Sequence, residues 1–101
     1  MKPSPEEASR ILSDVRPEKC FWVNNGPLLH NIYELSLSLS TMKPETFLCH
    51  VNSEKNDFSN WAADVLRDNE FAKRIRRMRK QEDVLRAVRK RVEELEKACA
   101  R

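Results

Sequence analysis

Apolar residues recur along most of this chain at spacings of three and four, the period of helices with one face in a core. Ser4-Pro5-Glu6-Glu7 reads as a helix start: a serine cap, proline at the first helical position and acids in the first turn. Ala8, Ile11, Leu12 and Val15 then share a face, and Arg16-Pro17 ends the helix, because a residue before proline is driven out of the α region. Cys20 to Val23 is a short apolar run, either strand or buried connector. Asn24-Asn25-Gly26-Pro27 is a turn and a second helix start. Leu28, Ile32, Leu35, Leu39 and Met42 follow as a helical stripe.

Leu35 to Ser40 alternates strictly between leucine and serine, which alone is a strand pattern. The stripe favours helix. Tyr33 and Leu37 give that helix a second apolar side, so it is expected to be central and buried. Lys43-Pro44-Glu45 opens another helix, carrying Phe47, Leu48 and Val51. After a polar loop, Asn56 or Asp57 caps a helix bearing Phe58, Trp61, Ala62, Val65 and Leu66. Asp68-Asn69-Glu70 recaps the chain, and Phe71, Ala72, Ile75 and Met78 carry the spacing into a basic run. Leu85, Val88, Val92, Leu95 and Cys99, extended back to Met78, form a heptad seam of about three repeats.

Composition narrows this picture. The 101 residues suit one domain, and a single glycine argues against a turn-rich β-fold. Three cysteines without close pairing argue against a disulfide framework. No apolar stretch is long enough for a membrane span or signal peptide, so a cytoplasmic protein without membrane contact is expected. The net charge of +3 conceals a split. Residues 1–72 hold 7 Lys/Arg and 11 Asp/Glu, a balance of −4; residues 73–101 hold 12 and 5, a balance of +7. An anionic partner, or pairing between the two halves, would satisfy that asymmetry.

Two segments therefore carry candidate function. Lys73, Arg74, Arg76, Arg77, Arg79 and Lys80, with Arg86, Arg89 and Lys90 beyond them, could neutralise phosphates; a solvated helical face is the plainer reading. No aromatic residue lies among them, which counts against single-strand stacking. The seam of Met78, Leu85, Val88, Val92, Leu95 and Cys99 offers a helix interface to a second copy or another protein, unless it packs on its own core. His30 and His50 show no metal-ligand spacing. A nucleophile at Cys49 would need proof that His50 is close, and Asp57 is more simply a cap than an orienting carboxylate. No cofactor, metal or small-molecule ligand is expected.

Phe47-Leu48-Cys49-His50-Val51, Asn56-Asp57-Phe58-Ser59-Asn60-Trp61 and Asp68-Asn69-Glu70-Phe71-Ala72 together resemble a prokaryotic domain family of unknown function. Its signature is an aromatic and a histidine on one short helix, an Asp-Phe-x-x-Trp helix start, and an Asp-x-x-Leu-Ala turn. Phe71 replaces the usual leucine. The resemblance spans roughly residues 20–78, implies a compact helical domain, and implies no reaction; it leaves His50, Asp57 and Trp61 as motif residues without a role.

The expectation is an all-α domain over residues 1–101: a compact bundle of about five helices with a long basic amphipathic C-terminal helix, its heptad part at about 82–99. The expected function is a non-enzymatic protein-interaction module, self-associating through that helix. The competing expectation is a nucleic-acid-binding accessory protein using residues 73–91.

Overall fold

The computed structural model describes residues 2–100, a mostly helical arrangement of six α-helices and one two-stranded hairpin among those residues. Helix α1 (Pro5–Leu12) starts where Ser4 Oγ accepts the Glu7 N–H at 3.1 Å, and it buries Ala8 and Ile11. A 3₁₀ turn at Pro17–Lys19 leads into β1 (Phe21–Trp22), which pairs antiparallel with β2 (Leu28–Leu29). The apolar run at 20–23 is thus a strand. Phe21 faces Leu29, and both turn inward; Trp22 faces Leu28, and both turn outward, as the period of two requires.

The hairpin moves the start of the next helix. Pro27 does not open it. Instead α2 (Ile32–Thr41) begins where Asn31 Oδ1 accepts the Glu34 N–H at 2.9 Å. Leu28 matches the helical spacing but lies in β2, because its neighbours can pair with Phe21-Trp22 while Asn31 supplies the better cap. In the hairpin loop Asn25, not Gly26, takes the positive φ of 59°. The glycine is required for a different reason: a Cβ there would stand 2.9 Å from Val23 Cγ1.

The alternating segment is helical, but α2 is buried on one side only. Ile32, Leu35, Ser38 and Leu39 face the core, whereas Tyr33 and Leu37 face outward. Tyr33 reaches only the edge of the C-terminal helix, donating from its hydroxyl to Glu96 Oε2 at 3.0 Å, and Leu37 stays 67% exposed, which corrects the expectation of a central helix. Helix α3 (Pro44–His50) buries Phe47 and His50, and α4 (Asp57–Trp61) buries Phe58, Ser59 and Trp61. Asn56 is the α4 cap: its Oδ1 accepts the Ser59 N–H at 3.0 Å, and its Nδ2 donates to the Ile75 carbonyl at 2.9 Å. Asp57 is thereby released from capping. A π-helical turn (Ala62–Leu66) prolongs α4 and stops at Arg67, whose φ of 57° is left-handed. Helix α5 (Asn69–Ile75) is capped by Asp68 Oδ1, which accepts the Phe71 N–H at 3.2 Å.

The longest helix, α6 (Gln81–Cys99), packs chiefly on α1 and α2. Gln81 Nε2 donates to the Leu39 and Met42 carbonyls at 2.8 and 3.0 Å, closing the C-terminal end of α2. Its core line is Val84, Val88, Arg91, Leu95 and Ala98. The basic run is not part of it. Lys73 and Arg74 end α5, Arg76-Arg77 form a turn, and the chain then runs extended to Lys80.

Candidate functional site

One buried histidine sits at a junction of three elements. His50, at the end of α3, is buried against Phe21 of β1 and Phe58 of α4, at ring-centroid distances of 4.9 and 5.4 Å. Its Nε2 accepts the backbone N–H of Asn24 at 3.0 Å. That nitrogen must therefore carry a lone pair, so the proton is on Nδ1 and is donated to Asp57 Oδ2 at 3.0 Å. Lys55 Nζ binds the same carboxylate oxygen at 2.9 Å. Trp61 completes the clasp by donating from Nε1 to the Lys19 carbonyl at 2.8 Å. Together His50, Asp57 and Trp61 fasten the hairpin and the segment before it to α3 and α4.

This arrangement brings His50 and Asp57 together, as a catalytic pair would require, but both imidazole nitrogens are committed to neighbours. General-base chemistry needs a free lone pair directed at a substrate. Cys49 is exposed beside the clasp, its Sγ accepting from Asn24 Nδ2 at 3.0 Å. Among the described residues no group of three or more His, Cys, Asp or Glu side chains is placed to hold a metal ion.

The heptad seam is packed within its own chain. Val88 and Leu95 are fully buried, Met78, Leu85 and Val92 lie half-buried at the edge of the core, and Cys99 is exposed. The actual core line keeps the period but replaces Leu85, Val92 and Cys99 by Val84, Arg91 and Ala98. Arg91, a residue that reads as surface, is 3% exposed. Its Nε and Nη2 donate to Asp68 Oδ2 and Oδ1 at 2.7 and 2.9 Å, and Nη1 donates to Glu94 Oε1 at 3.0 Å. Burial works against the Arg91 charge, yet bonds to Asp68 and Glu94 outweigh it and hold its pKa above the ordinary value.

Arg74 joins the same network through Glu94 at 2.8 Å and, more loosely, Glu70. Burial raises the Glu94 pKa, but bonds from Arg74 and Arg91 prevail and set it below the ordinary 4.5. A depressed carboxylate stabilises the fold above its unfolded pKa and loses that contribution as pH falls through its folded value. Glu94→Gln should therefore flatten the acid limb of a circular-dichroism titration below about pH 4.5. An acid limb identical to that of the parent protein would refute the assignment.

The other basic side chains are placed differently. Arg86 meets Asp83 at 3.5 Å, and Arg79 donates to the Asn52 carbonyl. Lys73, Arg76, Arg77, Lys80, Arg89 and Lys90 are exposed and form no ion pair among the described residues.

The hairpin loop, the outer side of α2 and the side of α3 enclose an open groove of about 730 Å³. Leu28, Leu37 and Met42 contribute its apolar lining, with Glu34, Lys43 and Glu45 around it. A second concavity of about 600 Å³, lined by Trp22, Cys49, His50 and Lys55, lies across the loop and shares its residues 23–26. Trp22, Leu28, Tyr33, Leu37 and Leu48, all on the hairpin, α2 or α3, are 42% to 74% exposed. The only sequence signal was the second apolar side of α2, which pointed to burial. No helix among the described residues is long and apolar enough to cross a membrane. No protein-family model matches the chain, and neither a curated protein nor a solved structure is significantly similar to it.

Proposed function

We propose that this chain is a non-enzymatic interaction module of the reducing cytoplasm, where Cys20, Cys49 and Cys99 remain thiols, and that it self-associates. The contact is made by the hairpin, α2 and α3 rather than by the C-terminal helix, whose apolar residues serve the core of their own chain. One observation carries this reading: the five large exposed apolar side chains all belong to those three elements. Leu28 and Leu37 line the groove and Trp22 the adjoining concavity, and exposed apolar side chains of that size on one set of elements mark an interaction surface.

A second copy fits this face. Its charged residues carry both signs, with Glu34 and Glu45 against Lys43 and Lys55. A two-fold interface sets a patch against itself, and a patch of mixed sign can then pair each charge with its opposite. The signature of His50, Asp57 and Trp61 has a supporting part in this reading, because it holds the hairpin that presents Trp22 and Leu28.

Light scattering coupled to size-exclusion chromatography tests the proposal. Twice the chain mass is expected at high concentration, with a return to the single-chain mass on Leu37→Asp. Leu37 is outward-facing, so this change should leave the helical signal intact. A monomer at every concentration, or a dimer that survives both Leu37→Asp and Trp22→Ala, would overturn it.

A further inference from the structure

We propose that the corner between α5 and α6 binds the sugar–phosphate backbone of duplex nucleic acid. This surface is distinct from the self-association face, and neither proposal depends on the other.

Residues 73–90 hold nine Lys/Arg and two Asp/Glu. One of the two acids, Asp83, pairs with Arg86. Arg74 pairs with Glu94 and Glu70, and Lys73, Arg76, Arg77, Lys80, Arg89 and Lys90 meet no carboxylate among the described residues. Of the acids in the body, Asp68 is held by Arg91, Glu94 by Arg74 and Arg91, and Asp57 by Lys55, while Glu82 within the stretch is exposed and offsets one charge. A continuous helix would have spread the run around its axis. Instead α5 ends at the buried Ile75, the Met78 N–H returns to the Ile75 carbonyl at 3.0 Å, and Arg76 and Arg77 stand exposed at the turn. The bond from Arg79 to the Asn52 carbonyl anchors the extended stretch without neutralising its charge. Beside the corner, Arg86 and Lys90, one helical turn apart on α6, line an open groove of about 520 Å³ with Arg74; its two carboxylates, Asp83 and Glu94, are already paired with Arg86 and with Arg74 and Arg91. The corner and the groove together form a basic track, and the negative balance of residues 1–72 repels a polyanion from the rest of the body.

The chemistry of the track favours phosphodiesters. Four of the side chains, Arg76, Arg77, Arg79 and Arg86, offer the planar fork that matches phosphate oxygens. No aromatic residue occurs between 73 and 90, so bases have nothing to stack on, and a duplex is preferred to a single strand. No large apolar side chain in this stretch is exposed for insertion into a bilayer.

The test is fluorescence anisotropy with labelled duplex DNA and duplex RNA of mixed sequence, titrated between about 50 and 200 mM salt. Binding should weaken with salt at a log–log slope of about −4 to −5, corresponding to roughly five phosphate contacts. Arg76→Gln, Arg77→Gln and Lys80→Gln combined should reduce the magnitude of that slope by about three on any sequence. Arg16→Gln with Lys19→Gln, exposed cations elsewhere, should leave it unchanged. If the triple variant loses its helical signal, Arg77→Gln alone should still reduce the slope by about one. The proposal is overturned by absence of salt-sensitive binding, by an unchanged slope in the corner variants, or by an equal loss in the Arg16/Lys19 control. Binding to phosphatidylserine vesicles in place of duplexes would also overturn it, by reassigning the track to a lipid surface.

Discussion

Replacing Arg91 with Met is expected to cost about 3–5 kcal/mol, the largest effect of any single charge removal in this protein. The substitution preserves much of the side-chain volume but leaves the Asp68 carboxylate buried without its cation. Whole domains of this size are stable by only about 5–15 kcal/mol, so the variant should unfold at a much lower urea concentration or fail to fold at 25 °C. The cause can be separated from lost packing by a second change. Asp68→Asn keeps an oxygen for the Phe71 N–H, and so keeps the α5 cap, while removing the charge. The double variant should recover a substantial part of the stability lost by Arg91→Met. A drop of less than about 1 kcal/mol for Arg91→Met, or a double variant no better than the single, would mean that the ion pair does not hold α6 to the start of α5.

The second large effect is expected at Phe58. Its ring is fully buried and lies 4.9 Å from Phe21, 5.4 Å from His50 and 6.0 Å from Phe47. Phe58→Ala should cost about 3–5 kcal/mol, through lost burial and the cavity left at the meeting point of β1, α3 and α4. The damage should reach the hairpin first. Its few paired residues are held by Phe21 and by the His50 bond to Asn24, both of which rest on Phe58. Amide exchange in residues 21–29 should accelerate more than exchange in α6, whose core contacts are with α1 and α2. Phe58→Leu should be markedly milder, because most of the volume remains. Uniform acceleration across the chain would show that the ring supports global stability without any special role at the hairpin.

The local grammar of the chain was largely legible. Ser4 with Pro5, Pro44 and Asp68 start helices where their capping chemistry says they should. The three-and-four spacing was enough to overrule the Leu-Ser alternation at 35–40, because a helix needs only its own neighbours to form. The candidate site was less legible. His50, Asp57 and Trp61 could be picked out as residues, but the groove and the exposed side of α2 could not, since both depend on which elements pack together.

Two stripes on α6 share Val88 and Leu95, and periodicity accommodates either. One continues through Leu85 and Val92, the other through Val84 and Arg91. The apolar choice is the natural one from sequence. The fold takes the other because Asp68, 23 residues away, supplies a buried carboxylate that an arginine can reach from position 91. The exposure of Tyr33 and Leu37 has the same origin. A sequence determines that α2 has two apolar sides, but only the tertiary structure decides how many neighbours there are to cover them. The basic run shows both limits at once. Its charge is a property of the sequence. That Lys73, Arg76, Arg77 and Lys80 stand without carboxylate partners among the described residues, at a corner and not along one helix, follows from where α5 stops and from the acids already held by Arg74, Arg91 and Lys55.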